Sequence, residues 1–222
     1  MLFRSQGDQD PSGRLAASFT CSQRSWLVPY AVSRTLGLCA FVAFLPAIVL
    51  VAVVILIVDG RPVFFRQQRA GLHGVPFGIF KYRTMREPRP GEDRMTSDDV
   101  RITRIGRVIR RLSLDELPQL VNVMRGEMLL VGPRPLHVSY NDRYSETQRR
   151  RLEVFPGITG WAQVNGRNGL SWDDRFQLDV WYVDNRSTAL DLQILRLTLS
   201  SLTNTDVGSA QSATMHEFLG ER

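Results

Sequence analysis

Two adjacent carboxylates, Asp115 and Glu116, lie directly behind a strongly basic stretch of the chain. Five arginines precede them within eleven residues: Arg101, Arg104, Arg107, Arg110 and Arg111. No acidic residue between positions 100 and 112 neutralises these arginines. Guanidinium groups present planar forks of donors that suit phosphate, so the stretch predicts a phosphate site that contains a carboxylate pair. The alternative is ordinary, because an Asp-Glu pair at a helix end is also typical of a solvated surface.

The chemistry expected of such a site is phosphoryl transfer. An aspartate that faces several arginines is expected to have a depressed pKa, to be fully ionised and to attack a phosphorus atom. A neighbouring glutamate would hold the divalent metal that offsets the charge of a diphosphate. Asp115 is therefore the candidate nucleophile, and Glu116, together with Asp115, is the candidate metal site.

Composition narrows the classes of partner. The 222 residues carry a formal net charge of +6 with a pI near 10.0, which favours nucleic acid, anionic lipid or a polyphosphate substrate. The two cysteines, Cys21 and Cys39, have neither disulfide-framework nor zinc-ligand spacing and fit a reduced compartment. With three histidines in the chain, a metal site built from histidine is not expected.

An uncharged run of 23 residues, from Leu36 to Val58, is long enough to cross the roughly 30 Å hydrocarbon layer as a helix. Arginines flank both of its ends, so the positive-inside rule gives no orientation. Pro46 lies near its middle, where proline removes a helix hydrogen bond and bends the axis. From the residues alone, a single spanning helix and a helix that re-enters the same side remain equally open.

The residues after this run predict the elements that would position the carboxylates. Residues 63–67 and 77–85 read as a β-hairpin, with Lys81 and Arg83 directed towards the same anion. Apolar residues between 102 and 112 recur at helical spacing and predict a basic amphipathic helix. Its arginines would reach either lipid phosphates or substrate. Arg110 and Arg111, one turn before Asp115, are better placed for substrate.

The C-terminal half predicts further support. We expect a helix over 118–128, a buried strand over 129–131 and a rigid turn over 132–135 that fixes Arg134. A polar helix over 137–155, with three arginines that face solvent, would follow. We then expect a glycine-rich loop over 156–168 that carries Arg167, and an amphipathic helix over 190–202. The glycine-rich loop by itself is weak support for phosphate binding.

Taken together, five of these stretches resemble the bacterial sugar transferases, the small monotopic polyprenyl-phosphate phosphoglycosyl transferases. The resemblance runs from about Ser33 to the C-terminus. The stretches are 60–65 (GRPVFF), 81–85 (KYRTM), 113–120 (SLDELPQL), 131–135 (VGPRP) and 156–168 (PGITGWAQVNGRN). The short chain and its ending over 213–220 (ATMHEFLG) are most similar to the minimal form. The best-known member of that form is the Campylobacter-type enzyme that opens N-linked glycan assembly with a diacetylbacillosamine phosphate.

The resemblance implies a mostly helical α/β fold with a small β-hairpin or sheet. Residues 1–30 would be a flexible extension, 31–59 a re-entrant membrane helix, and 60–222 a compact cytoplasmic catalytic domain ringed by amphipathic interfacial helices. The family breaks its membrane helix at a Ser-Pro pair, and Leu45-Pro46 stands there in this chain. The family also has Gly-Asp-Met-Ser where this chain has 126–129 (GEML). The protein would sit on the cytoplasmic face of the bacterial inner membrane.

The activity implied is transfer of a sugar 1-phosphate from a UDP-sugar to polyprenyl phosphate, with release of UMP. Asp115 would carry the phosphosugar covalently, and Glu116 would bind Mg²⁺. The expected phosphate-binding residues are Lys81, Arg110, Arg111, Arg134 and Arg167. Membrane lipids, a second copy of the chain and downstream membrane glycosyltransferases are the further partners that the resemblance suggests. The sugar is not readable from the residues.

Three other classes of protein compete with this interpretation. A non-catalytic membrane adaptor would use the same arginines for anionic lipid. A nucleic-acid binder is suggested by charge alone, and the basic residues lack the aromatic interleaving of a stacking platform. A conventional glycosyltransferase would release UDP instead of UMP.

Overall fold

The computed structural model describes residues 11–90, 98–166, 169–203 and 218–220. The α-helices there are α1 (Pro11–Val58), α2 (Asp98–Arg101), α3 (Arg104–Arg111), α4 (Leu120–Arg125), α5 (Glu146–Arg149), α6 (Trp161–Val164), α7 (Trp172–Asn185) and α8 (Thr188–Thr203). The strands are β1 (Phe64–Ala70), β2 (Pro76–Tyr82), β3 (Leu129–Val131) and β4 (Gly157–Thr159). Short 3-10 helices cover Leu72–Gly74, Leu114–Gln119, Val138–Arg143 and Arg150–Leu152. The expected mixture of many helices and little sheet is confirmed.

Helix α1 presents one apolar stripe to the rest of the protein and leaves its other faces open. Ile48, Val51 and Ile55 are buried in a core cluster, whereas Leu50 and Ile57 are 64% and 77% exposed. The part of α1 from residue 30 onward is long and apolar enough to cross a membrane. In its most apolar stretch of 18 residues, only 17% of the stretch is buried against the rest of the protein. The open faces of α1 are therefore made of side chains that water solvates poorly.

Polar bonds also fix α1 against the domain, both well before the buried stripe and at its first residue. The Ser33 hydroxyl accepts a hydrogen bond of 2.8 Å from the Leu130 amide, and the Tyr82 hydroxyl donates one of 2.6 Å to the Ile48 carbonyl. Gly37 allows a close approach, since a Cβ there would lie 2.7 Å from a methyl carbon of Val123. With the stripe, these contacts follow α1 for roughly 33 Å of its length.

The backbone of α1 is helical through Leu45 and Pro46, so the proline does not end the helix. Whether the helix re-enters one leaflet stays a prediction, and so does the division of the chain at positions 30 and 59. Residues 1–10 of the expected extension lie outside the described residues. The helix begins at Pro11, so no end of secondary structure coincides with position 30.

The predicted hairpin is confirmed. Strands β1 and β2 pair antiparallel, with Phe65 opposite Lys81. Arg83, however, does not share a site with Lys81. Its guanidinium donates to the carbonyls of Gly60, at 2.9 Å, and of Asp59 at the carboxyl end of α1. A cation is favoured at that end by the helix dipole, so Arg83 is a cap of α1 and not an anion ligand.

The predicted strand over 129–131 is confirmed as β3, and it pairs in parallel with β4. Strand β4 was not expected, because its residues lie in the span that reads as a glycine-rich loop. Two glycines of this region touch backbone to backbone: a Cβ on Gly157 would lie 2.1 Å from the Gly132 amide nitrogen. The glycines thus bring β4 against the turn that follows β3.

The predicted amphipathic helix over 102–112 is confirmed as α3, and the short α2 precedes it across a break at residues 102–103. Thr103 donates its amide to the Thr84 carbonyl at 3.0 Å and caps α3 by accepting from the Gly106 amide at 2.9 Å. A Cβ on Gly106 would lie 2.1 Å from the Thr84 carbonyl oxygen. Helix α3 therefore lies directly on the end of the hairpin.

The predicted polar helix over 137–155 is wrong in extent and in exposure. The segment forms two 3-10 helices and α5, which a capping box at Ser145 begins. Of its three consecutive arginines, Arg151 is 2% exposed. The run of polar residues contains no local sign of this burial, which depends on Asp179 in α7.

Candidate active site

The two carboxylates lie in the first turn of the 3-10 helix over 114–119. Ser113 precedes them with φ 55° and ψ 20°, a left-handed conformation that few non-glycine residues adopt. This residue turns the chain between the end of α3 and the new helix. The turn directs Asp115 and Glu116 back towards β2 and the loop after β3, where their cationic partners lie.

Glu116 is held by two cations from distant parts of the chain. Its Oε1 accepts a hydrogen bond of 3.0 Å from Lys81 Nζ and one of 2.6 Å from Arg134 Nη2. Lys81 and Glu116 side chains are each 20% exposed, and Arg134 is 38% exposed. Strand β2 and the turn after β3 thus meet at the carboxylate.

Asp115 lies in the same group, with Oδ2 at 3.8 Å from Lys81 Nζ and a side chain that is 16% exposed. This distance is that of an ion pair without a hydrogen bond. Arg110 reaches the site from α3, where its Nε donates to the Thr84 hydroxyl at 2.8 Å, and its charge acts on Asp115. The structure therefore brings Lys81, Arg110 and Arg134 around the pair.

The expected depression of the Asp115 pKa is wrong. Burial raises the pKa of Asp115, Lys81 opposes that rise, and the charge of Glu116 adds to it. For Glu116, burial alone would raise the pKa, but Arg134 and Lys81 outweigh it and hold the pKa well below its usual range. Lys81 and Arg134 therefore compensate mainly the negative charge of Glu116. Asp115 is a poorly solvated carboxylate and the more basic of the two.

Two other expected phosphate ligands are not seen with the pair. Arg111 is exposed on α3, and in the described part of the chain it bonds to neither carboxylate. Arg167 lies outside the described residues, so its place in the site stays a prediction. Glu127, at the position where the family motif differs, accepts a hydrogen bond of 2.6 Å from the buried Asn122 amide and is no member of this group.

Sequence reasoning missed the residues that hold Arg134 in place. The Arg151 guanidinium bonds to Asp179 Oδ2 at 2.8 Å and 3.0 Å and donates to the Arg134 carbonyl at 2.7 Å. The Arg151 and Asp179 side chains are 1% and 2% exposed. A buried ion pair therefore fixes the backbone of the arginine that holds Glu116.

Two further arginines near Arg134 were also missed. Burial and then the charge of Arg134 lower the pKa of Arg69 to about 10, and the same two causes lower that of Arg175 to about 10. Arg69 is the penultimate residue of β1, and its backbone bridges to that of His137 just beyond the Arg134 turn. Burial is the larger cause, and the smaller effect of Arg134 indicates that its charge lies near both guanidiniums, an arrangement that suits an anionic ligand.

The carboxylate pair provides few of the ligands that a metal ion needs. Among the described residues, no third His, Cys, Asp or Glu joins them. Mg²⁺ commonly takes one or two carboxylates and completes its shell with water and substrate phosphates. The Glu116 oxygen that accepts from neither Lys81 nor Arg134, and the oxygens of Asp115, suit such a role. The residues therefore fit Mg²⁺ bound together with a phosphate substrate.

A protein-family model and several known proteins are similar to this chain in sequence. A family model described as bacterial sugar transferase matches residues 25–205. EpsL of Bacillus subtilis (strain 168), named an uncharacterized sugar transferase, is 54% identical over 162 residues, which are 72% of this chain and 80% of EpsL. The exopolysaccharide production protein ExoY of Sinorhizobium fredii is 36% identical over 184 residues, 75% of this chain and 81% of ExoY.

A third relative has a named reaction. The UDP-glucose:undecaprenyl-phosphate glucose-1-phosphate transferase of Caulobacter vibrioides is 42% identical over 173 residues, which are 73% of this chain. The match covers 65% of the Caulobacter protein, less than two thirds of its length. The family match contains both carboxylates, Lys81, Arg110 and Arg134. The chain therefore belongs to the bacterial sugar transferase family and is a transferase.

Proposed function

We propose that this chain transfers a sugar 1-phosphate from a UDP-sugar to polyprenyl phosphate and releases UMP. The observation that carries the proposal is the Asp115–Glu116 pair, where Lys81 and Arg134 hold Glu116 and leave Asp115 without a hydrogen bond in the described structure. The Caulobacter relative is named for a reaction of this class. A nucleophile next to a charge-compensated acid is the arrangement that covalent phosphoryl transfer needs.

In the first step, an Asp115 oxygen attacks the β-phosphorus of the UDP-sugar. A bond forms between that oxygen and phosphorus, and the bond from phosphorus to the bridging oxygen breaks. The bridging oxygen leaves with UMP, and the sugar phosphate stays on Asp115 as an acyl phosphate. Lys81 lies 3.8 Å from the carboxylate and would stabilise the negative charge that spreads over the phosphoryl oxygens.

In the second step, a phosphate oxygen of the polyprenyl phosphate attacks the same phosphorus. The bond between phosphorus and Asp115 breaks, which restores the carboxylate and yields polyprenyl-diphospho-sugar. The acceptor phosphate would attack in its ionised form, because a Glu116 whose pKa is held well below its usual range by Arg134 and Lys81 is too weak a base to take its proton. Arg110, Arg134 and Arg167 would hold phosphate groups, and a covalent intermediate lets a soluble donor and a lipid acceptor use one pocket in turn.

Mg²⁺, bound by Glu116 with Asp115, would supply charge neutralisation for the diphosphate and so make UMP a better leaving group. The arginines and Lys81 do the remaining positioning, since phosphoryl transfer depends mostly on alignment and charge stabilisation.

The donor sugar and the pathway belong to the proposal as well. The name of the Caulobacter relative makes UDP-glucose the first donor to test, and the diacetylbacillosamine donor of the Campylobacter-type enzyme is the second. A product of this kind starts glycan, capsule, O-antigen or exopolysaccharide assembly at the membrane. Downstream membrane glycosyltransferases would consume it, and a second copy of the chain is a further candidate partner.

The first prediction concerns the products. Purified protein with Mg²⁺, polyprenyl phosphate and a panel of UDP-sugars should release UMP from at least one donor, as chromatography of the nucleotide products would measure. The same donor should give UMP without the lipid, in an amount no greater than one per protein, because the carboxylate is then loaded once. Release of UDP would identify a conventional glycosyltransferase, and release of neither nucleotide would favour the adaptor.

We further propose that α1 lies in one leaflet and that the domain faces the cytoplasm. Domain contacts follow α1 from Ser33 to Ile55. If α1 crossed the bilayer along its normal, the contacting domain surface would enter the hydrocarbon too. Charged groups there, such as Arg125 over the Phe80 ring at 5.0 Å, would carry a high cost. An inclined helix with its open faces in lipid avoids this cost.

The second prediction tests that placement. In a chain without Cys21 and Cys39, single cysteines are introduced by Ser18→Cys, before the apolar run, and by Arg61→Cys, after it. A membrane-impermeant maleimide should label both in inside-out membrane vesicles and neither in right-side-out vesicles. Permeabilised vesicles give the control for total labelling. Labelling of the two positions from opposite sides would contradict the one-leaflet placement.

A further inference from the structure

Phe218 is the centre of an aromatic cluster that lies next to the arginines around Arg134. The side chain is 4% exposed. Its ring centroid lies 4.9 Å from that of Phe176, 5.6 Å from Trp172, 5.7 Å from Tyr140 and 5.9 Å from Tyr144. Its backbone is held as well, because the Arg143 guanidinium donates to the Phe218 carbonyl. Phe218 is thus anchored by both side chain and backbone.

Two arginines of the site stack on the rings that Phe218 touches. The Arg151 guanidinium carbon lies 5.7 Å from the Tyr144 ring centroid and 5.6 Å from that of Phe176. The Arg175 guanidinium carbon lies 5.3 Å from the Trp172 ring centroid. Stacking of a cation on an aromatic face is attractive and depends on the ring's position. Phe218 therefore packs against each ring that fixes these two guanidiniums.

The cluster reaches the carboxylates through Arg134. Arg151 donates to the Arg134 carbonyl at 2.7 Å, and Arg134 donates to Glu116 at 2.6 Å. The Arg151 side chain is 1% exposed, so a displacement of the cluster in this close-packed interior is passed to the Arg134 backbone. Phe218, about a hundred residues further along the chain than Glu116, is joined to it by this short series of contacts.

We propose that Phe218 is a positioning residue for the transferase reaction: it holds the rings under Arg151 and Arg175 and thereby sets the pose of Arg134. The proposal rests on the phosphate-binding role given to Arg134 under the proposed function. Phe218 touches neither substrate nor carboxylate in this scheme. Its loss should disturb phosphate alignment and leave the nucleophile chemically intact.

The test is a double-mutant cycle on UMP release between Phe218→Ala and Arg134→Ala. Phe218→Ala alone should lower kcat/KM by about tenfold or more, since small misplacements in a reacting site have large effects on rate. In the Arg134→Ala background the same substitution should have little further effect, because residues that act through one another are not additive. Equal losses in both backgrounds would overturn the proposal.

Controls separate positioning from folding and from the activity itself. Leu219→Ala changes the neighbouring residue of the same tail, which is 72% exposed, and should leave kcat/KM unchanged. Phe218→Leu keeps apolar volume in the cluster and should restore part of the rate, and it replaces Phe218→Ala in the cycle if that variant does not fold. A rate for Phe218→Ala that equals wild type, or falls only with the folded fraction, refutes the inference. An inactive wild type would instead count against the proposed function.

Discussion

Replacement of Asp115 by asparagine should lower UMP release by roughly 10⁴-fold or more, because the amide cannot form the covalent phosphosugar. The substitution keeps the shape of a side chain that is 16% exposed, so the fold should survive. Intact-mass measurement after acid quench, without lipid acceptor, should detect a phosphosugar adduct on the wild type and none on the variant.

The matched control is Asp142→Asn, an exposed aspartate in the 3-10 helix over 138–143. It makes the same change in charge and should keep both the adduct and the rate. The transferase and the adaptor hypotheses both predict that the Asp115 variant binds anionic vesicles as the wild type does. Vesicle binding therefore does not discriminate between these two hypotheses. UMP release at the wild-type rate by the Asp115 variant would show that the nucleophile is another group.

The second large effect is expected on stability. Asp179→Asn removes the only carboxylate that Arg151 bonds to among the described residues and leaves its charge buried without compensation. The free energy of unfolding should fall by about 3–5 kcal/mol, the usual result of breaking a buried ion pair from one side. Denaturant unfolding in detergent, followed by far-UV circular dichroism, measures this change.

An exposed ion pair on the same helix supplies the control. Asp184 pairs with Arg150, whose side chain is 40% exposed while that of Asp184 is 47% exposed. Asp184→Asn should therefore change the free energy of unfolding much less than Asp179→Asn does. The combined change Arg151→Met with Asp179→Leu should recover much of the lost stability, because neither member of the pair is then left as an uncompensated buried charge. Equal effects of the two aspartate substitutions would contradict the assigned burial.

Arg134 connects the buried ion pair of the second prediction with the carboxylates of the first. Its carbonyl is held by Arg151, and its guanidinium holds Glu116. Loss of Asp179 should thus weaken activity as well as stability, whereas Asp115→Asn should weaken activity alone. Measurement of both quantities on both variants separates the reacting group from the residues that support it.

Several features of the fold follow from local pattern. The alternating residues of the hairpin, the apolar triplet of β3 and the uncharged run of α1 each encode their own conformation through period or length. The family resemblance also followed from the residues, because five motifs occur in the family's order. Lys81, Arg110 and Arg134 were named on this basis, and the structure places all three around the carboxylate pair.

The sequence by itself thus determined which residue types meet at the site and which segments could enter a membrane. Only the tertiary structure decided that Arg151 is buried against Asp179, that Arg83 caps α1, that β4 pairs with β3, and that burial raises the Asp115 pKa. The physical reason is common to all four. Burial, pairing and electrostatic environment arise between segments far apart in the chain, so no local period or spacing records them.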